Sequence, residues 1–318
     1  MKIGLDVMGG DYAPDVTIEG ALLALEKIPP EDNIFLFGPE KLINQKLAEK
    51  NGDSSRFTIV HCPEVIGMGD KPIKAFNQKP ESSITKGLKY LKHHDIDSFA
   101  SAGNSGAAMV GAMYSVGNVH GVFRPCTLTH VPKESGGINV MLDIGTNPDI
   151  KPDVMYQFAI LGSMYSKYIL NVEDPKVGLL NIGEEEEKGN LLCQAAYRLM
   201  KDSKDFNFFG NVEGRDLFKE KADVIVCDGF TGNILLKALE SVYRMMMKRK
   251  LVDDFFEKFN YENYGGSPIL GVNAPVVIGH GISNRKAIMN MILLSKEIHD
   301  VGLTRKIKKA MTHYMESK

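Results

Sequence analysis

Short apolar runs alternate with longer helical patterns along almost the whole chain, and this alternation restricts the fold more than any other feature of the sequence. Ile3–Val7, Ile34–Phe37, Phe57–Cys62, Ser98–Ala100, Ile138–Ile144, Val177–Ile182, Asn207–Phe209, Ala222–Cys227 and Pro275–Ile278 read as strands. Most are apolar at successive positions, as expected of a strand covered on both faces. Between them Val16–Lys27, Lys41–Glu49, Ser82–His93, Ser105–Val116, Val154–Asn171, Gly189–Asp202, Gly232–Lys250 and Arg285–Asp300 carry helical spacing, and Thr304–Lys318 reads as an amphipathic C-terminal helix. The succession predicts an α/β fold, a three-layer α/β/α sandwich around a mostly parallel, Rossmann-like sheet. No low-complexity linker or composition shift interrupts the 318 residues, so a single domain over 1–318 is expected, with a projecting helical segment around 235–262.

Charge narrows the function classes. Lys and Arg total 38 against 40 Asp and Glu, a formal net charge of −2, which gives no whole-chain attraction to nucleic acid. Cys62, Cys126, Cys193 and Cys227 are scattered without a CxxC pair or zinc spacing, so neither a disulfide framework nor a metal site is expected. Cys227 ends an apolar strand and reads as inert packing or, alternatively, as a nucleophile. The opening residues turn acidic too early for a signal peptide, and no apolar run reaches membrane-spanning length. A cytoplasmic setting is therefore expected.

Glycine turns carry the strongest chemical signal. Ser101-Ala102-Gly103-Asn104-Ser105-Gly106 and Asp228-Gly229-Phe230-Thr231-Gly232-Asn233 each leave a strand and enter a helix through G-x-x-G. Glycine permits the tight path, and helix N–H groups at such a junction can hold phosphate or an oxyanion. Close packing and capping would account for the same glycines. Neither turn completes a dinucleotide fingerprint, and no Walker sequence occurs, so phosphate is a better candidate than nucleotide.

Gly9 and Gly10 form a further turn between Asp6 and Asp11, either of which orients a donor, takes a proton or caps the next helix. Asp143 and Asn147 end one strand and Asn211 another, while His280 precedes a helix. Lys188 and Arg124 are candidate cations for phosphate. The run Glu184–Glu187 reads as a solvated loop, or as a helix start whose N–H groups ease the repulsion. His93 and His94 read as exposed, and His130 and His280 as satisfied core or turn residues. With no HExxH pair and no G-x-S-x-G elbow, metallohydrolase and serine esterase chemistry are disfavoured.

In order along the chain, DVMGGD at 6–11, ASAGNSGA at 100–107, LDIGTN at 142–147, VGLLNIGEEEEKG at 177–189, FGNVEGRDL at 209–217, DVIVCDGFTGN at 223–233, GGSPILGVN at 265–273 and His280-Gly281 resemble the bacterial phosphate acyltransferases of the PlsX family. Ser105 stands where many relatives carry threonine. The resemblance implies a fold like the phosphate acetyltransferases and the transfer of a fatty acyl group from acyl carrier protein to inorganic phosphate. The acyl phosphate would then pass to a glycerol-3-phosphate acyltransferase. It also implies a homodimer peripherally associated with the inner face of the cell membrane, and the chemistry requires no metal or organic cofactor. Phosphate, already anionic, attacks the thioester without an enzyme nucleophile, so alignment and oxyanion stabilisation suffice. Phosphate is expected near Asn104–Gly106 or Gly229–Asn233, with Lys188 balancing charge. Asn147, Asn211, Asn233 or a backbone N–H supplies the oxyanion hole, and His280 either protonates the leaving thiol or supports its turn. A coenzyme A-dependent phosphate acetyltransferase and a noncatalytic phosphate- or lipid-sensing dimer are the competing readings.

Leu235, Leu239, Val242 and Met246, broadened by Leu236, Tyr243 and Met247, form an apolar stripe that Lys248, Arg249 and Lys250 interrupt. Val252, Phe255, Phe256 and Phe259 renew the spacing. The stripe suits intramolecular or dimer packing. The basic triplet beside Leu251 and Val252 suits an anionic membrane surface or acidic acyl carrier protein.

Overall fold

The computed structural model describes residues 1–317. In chain order its strands are β1 (Lys2–Asp6), β2 (Asn33–Gly38), β3 (Phe57–His61), β4 (Ser98–Ser101), β5 (Cys126–Pro132), β6 (Ile138–Leu142), β7 (Lys176–Asn181), β8 (Asn207–Glu213), β9 (Val224–Val226), β10 (Ser267–Leu270) and β11 (Val276–Ile278). The chain forms two compact units, Met1–Gly117 with Tyr261–Asp300, and Asn118–Asn260 with Val301–Lys318. The architecture is the expected α/β one, mostly parallel strands flanked by helices.

In the first unit the strands run in the order β3-β2-β1-β4-β11-β10. All these pairs are parallel except β10 with β11. Leu5 lies opposite both Leu36 and Ala100, so the apolar middle of β1 is covered by neighbours on each side. Phe37 and Phe99 meet edge-to-face at 5.8 Å, and the helix Ser83–Lys92 lays Ile84, Leu88 and Leu91 over them at helical spacing. That helix starts where the Ser82 hydroxyl accepts the Thr85 N–H. The helices Asp15–Leu25 and Arg285–Asp300 pack on each other. Their close approach needs Gly20, where a methyl group would come within 2.5 Å of the Ile288 Cβ.

In the second unit the order is β5-β6-β9-β7-β8, with β5 antiparallel to β6 and the other pairs parallel. The helix Pro152–Tyr168 is buried on nearly every side, which explains its lack of a polar face. The C-terminal helix Leu303–Glu316 closes over it, stacking Tyr314 on Tyr156 at 5.3 Å and placing the Lys306 ammonium 3.8 Å above the Tyr168 ring. Lys318, the end of the expected helix, lies outside the described residues.

β5 and β10 were not among the expected strands, and both make antiparallel pairs. Proline punctuates each, at Pro132 and Pro268, and Thr127, Thr129 and His130 break the apolar run of β5. The expected Gly232–Lys250 helix begins earlier, at Gly229, and ends at Arg249, where Lys250 turns left-handed with φ 56°. The renewed spacing beyond it yields only the short helix Asp254–Glu257, capped by Asp253 on the Phe255 and Phe256 N–H groups. Phe255, Phe256 and Phe259 pack with one another, and Phe259 also meets Phe218. No described helix is long and apolar enough to cross a membrane.

Candidate active site

Each unit ends a buried strand in an aspartate that organises a glycine turn. In the first, Asp6 closes β1 and accepts the Ser101 hydroxyl at 2.7 Å and the Met8 N–H at 3.0 Å, with Ser83 and the Gly9 N–H also bonded to it. Burial raises the Asp6 carboxyl above the usual range, against the lowering effect of these bonds. The Ser101 hydroxyl in turn accepts the Gly103 N–H, so β1 sets the path of the turn after β4. Gly9 is required there because a methyl group would lie 2.6 Å from both the Asp6 carboxylate and the Gly103 nitrogen.

Asn104 caps the following helix by accepting the Ala107 N–H at 2.9 Å. Its amide donates to the carbonyls of Gly67, Met68 and Asp70 at 3.0–3.3 Å, so Asn104 shapes the turn and has no amide hydrogen to spare for a ligand. Ser105 is exposed at this helix start, and Gly106 sits against Pro72. The Asp11 N–H donates to the Gly281 carbonyl at 2.7 Å, which brings the Gly9-Gly10-Asp11 turn to the segment carrying His280. His280 is half-buried, its ring 4.8 Å from that of Tyr261.

The second unit repeats the device with Asp143, one residue past β6 and fully buried. One carboxylate oxygen accepts the Thr127 N–H and hydroxyl at 3.3 Å and the Thr146 N–H at 3.2 Å. The other accepts the Asn147 N–H at 2.6 Å and the Asn147 amide at 2.9 Å. That amide also donates to the Pro125 carbonyl at 2.8 Å, so both Asn147 hydrogens are committed internally. The Asn147 carbonyl accepts the Gly229 N–H, and Asp228 caps the long helix through the Thr231 N–H and hydroxyl. A side chain at Gly232 would run into the Asp143 carbonyl. Asn233, exposed, donates one hydrogen to the Ile144 carbonyl at 3.0 Å and keeps the other.

Along the carboxyl edge of the same sheet, Asn181 donates to the Lys188 carbonyl and to the Asn211 side-chain oxygen, each at 3.1 Å. The Asn211 amide donates to the Glu185 carbonyl at 2.8 Å. These bonds fold the Gly183–Gly189 loop back onto the strand ends. Lys188 is exposed, and among the described residues its ammonium enters no ion pair. The acidic run is the solvated loop expected, and it is neutralised locally: Lys201 lies 2.7 Å from Glu186 and Lys221 2.5 Å from Glu184.

Among the described residues one carboxylate group has metal-like spacing, Glu184 with Glu213 and Asp216. Arg215 pairs with Glu213, while Lys219 and Lys221 reach Asp216 at 3.0 Å. Burial would raise Asp216, but the hydrogen bonds from Lys221 and Lys219 prevail and hold it at about 2. The cations already present occupy these carboxylates.

Cys227 is buried, and desolvation pushes its thiol well above the ordinary value, so the sulfur is inert packing. His130 bonds the Tyr165 hydroxyl at 3.0 Å, and burial pushes it down to about 4. Lys248, Arg249, Lys250 and Leu251 are exposed and Val252 is half-buried, and the three cations enter no ion pair among the described residues. Sequence reasoning missed Thr127, which lies on an unexpected strand, and Ser83, which lies inside a helix. It also missed Asn181, whose position at a strand end just before Ile182-Gly183 was the available signal.

Residues 1–306 match the family described as "Fatty acid synthesis protein". The phosphate acyltransferase of Dictyoglomus thermophilum is 42% identical over 98% of each chain, and that of Caldicellulosiruptor saccharolyticus 40% identical over 98% of each. Among solved structures, a phosphotransacetylase from Streptococcus pyogenes aligns with a TM-score of 0.64 at 17% identity, covering 94% of each chain. The EutD phosphotransacetylase from Staphylococcus aureus aligns with a TM-score of 0.63 at 16% identity, over 93% of this chain and 94% of its own. These two share the fold, while the sequence relatives carry the assignment: the chain belongs to the phosphate acyltransferase family of fatty acid synthesis proteins.

Proposed function

We propose that this acyltransferase moves a long-chain fatty acyl group from acyl carrier protein to inorganic phosphate, with residues 1–318 working as one catalytic domain. A phosphate oxygen attacks the thioester carbonyl, the carbonyl oxygen takes up negative charge, and the C–S bond breaks to release acyl phosphate and a thiol. The observation that carries this reading is the strand-end edge of the second unit. There the unpaired Lys188 ammonium and the spare amide hydrogen of Asn233 sit on turns held rigid by Asn181 and Asp143. A cation suits the phosphate and an oriented amide suits the oxyanion. Asn147 has spent both of its hydrogens and is a positioning residue in this scheme. His280 is the proposed proton donor to the departing sulfur.

The deciding measurement incubates the pure protein with inorganic phosphate and matched acyl-carrier-protein and coenzyme A thioesters. Acyl phosphate forms fastest from the carrier-protein donor, and its absence from every long-chain donor rejects the proposal. Lys188→Met and Asn233→Ala each lower kcat/KM by roughly a hundredfold, the loss typical of one oriented donor. The proposal extends to a homodimer packed through the 235–262 segment and to peripheral attachment at the inner membrane face through Lys248, Arg249, Lys250, Leu251 and Val252. A glycerol-3-phosphate acyltransferase then consumes the product. Charge reversal of the three cations weakens binding to anionic vesicles, use of the carrier protein, or both; two unchanged results reject that extension.

A further inference from the structure

The exposed Lys188 stands on a loop of the second unit whose backbone is held from two neighbouring elements. From β7, the Asn181 amide donates to the Lys188 carbonyl at 3.1 Å. From the helix Leu191–Met200, the Gln194 amide donates to the Glu187 carbonyl at 2.9 Å and to the Gly189 carbonyl at 3.0 Å. Both Gln194 amide hydrogens are thereby spent, one on each side of Lys188. Gln194 is itself anchored in the first turn of its helix. Its N–H donates to the Asn190 carbonyl at 3.0 Å, and the Asn190 side chain caps the helix by accepting the Cys193 N–H at 2.9 Å.

The lysine stem is bedded as well as its root. A methyl group built on Gly183 would lie 2.9 Å from the Lys188 Cγ and 3.3 Å from its Cδ, so the stem runs over the Gly183 backbone. Gly189 turns left-handed at φ 89°, and a side chain there would run into the Asn181 amide. Two ion pairs also touch this loop, Glu184 with Lys221 and Glu186 with Lys201. Glu184 is 57% and Lys201 50% exposed, and pairs so open to water are screened and contribute little. The bonds to the carbonyls, rather than the ion pairs, fix where the stem begins.

We propose that Gln194 is a positioning residue for phosphate: by gripping the carbonyls before and after Lys188, it aims that ammonium at the anion. The assignment rests on the proposed use of Lys188 as the cation for inorganic phosphate. Lysine carries its charge on a flexible four-carbon stem, so a loosened root lets the charge wander. A misplacement of about 1 Å can cost roughly a hundredfold in rate.

The test is Gln194→Met, which keeps the length of the side chain and removes both donors. With phosphate varied, kcat/KM falls about tenfold, while KM for the thioester changes by less than about twofold. In a Lys188→Met background the same substitution adds less than about twofold, because it acts only through the lysine. An equal fall in both backgrounds overturns the proposal. An equal fall in Glu186→Gln, which removes an ion pair and keeps the clamp, overturns it too. If Lys188→Met alone leaves kcat/KM unchanged, the reading of Lys188 fails and the role of Gln194 falls with it. Phosphate binding is read without turnover as protection of Lys188 from an amine-acylating reagent, followed by peptide mass. Gln194→Met needs about tenfold more phosphate for the same protection, and equal protection overturns the proposal. If phosphate protects Lys188 but no donor yields acyl phosphate, the proposed reaction fails, and this shift in protection still decides the role of Gln194. Absence of protection in the unaltered protein overturns both.

Discussion

The aspartates that end β1 and precede the β6 turn do the same structural work with different donors. Asp6 is held by two serine hydroxyls and two backbone N–H groups, and Asp143 by three backbone N–H groups, a threonine hydroxyl and an asparagine amide. A hydroxyl is a rotor that can turn from donating to accepting, whereas a backbone N–H cannot. The Asp143 turn is thus specified for a carboxylate, while the Asp6 turn tolerates a change in protonation. Burial raises the Asp6 carboxyl in keeping with that tolerance.

The largest effect expected from this difference is in the second unit. Asp143→Asn sets an NH2 group against the donors that now share one carboxylate oxygen, the Asn147 N–H and amide, and both groups are buried. Two buried donors left without an acceptor cost about 4 kcal/mol together. Chemical denaturation should show that loss with an unchanged m-value, and transfer to phosphate should fall with it because Gly229 hangs from the Asn147 carbonyl. A loss below about 1 kcal/mol would show that the turn repacks, and the contrast between the units would fail.

Much of this was legible before any coordinates, and the gaps have physical causes. Continuous apolar runs such as Ile3–Leu5 and Val224–Val226 announce buried parallel strands, and glycine beside Asp, Asn and Ser marks the turns that follow. β5 stayed hidden because Thr127, Thr129 and His130 interrupt its apolar run, although two of the three are used: Thr127 supports Asp143 and His130 bonds Tyr165. β10 begins at Ser267-Pro268, a sequence that reads as a turn. The Lys188 and Asn233 candidates came from motif position. What position did not reveal is that Asn104 and Asn147 have no hydrogens left, since hydrogen-bond saturation depends on partners such as Gly67 and Pro125 that lie distant in sequence.

Acid separates the two units further. His130 is held near 4 by burial, whereas an unfolded histidine titrates near 6.5. The unfolded chain therefore binds the extra proton, and stability present above pH 6.5 is lost as pH falls toward 4, by up to about 3 kcal/mol. Asp6 works in the opposite direction. Its raised folded value means that its contribution is full below the unfolded carboxylate range and is lost as pH rises through the folded value. As pH falls from 6.5 toward 4 the second unit should weaken, and the first is relieved where Asp6 takes up its proton. Hydrogen exchange should show β5 and the Pro152–Tyr168 helix opening before β1 and β4, and His130→Gln should flatten that pH dependence. Equal loss of protection in both units would contradict the assignment.

The smallest effect expected is that of Asp6→Asn. Its amide oxygen still accepts the Met8 and Gly9 N–H groups, and its NH2 can donate to Ser101 or Ser83 once those hydroxyls rotate. The variant also removes a buried charge. Near neutral pH the loss should be only about 1 kcal/mol, the net worth of a weakened hydrogen bond. Because the wild-type carboxyl gains stability on protonation and the amide does not titrate, the gap between the two proteins should widen as pH falls through the raised Asp6 value. A penalty as large as that of Asp143→Asn would mean that Ser101 cannot turn while it accepts the Gly103 N–H. The first turn would then be as rigidly specified as the second.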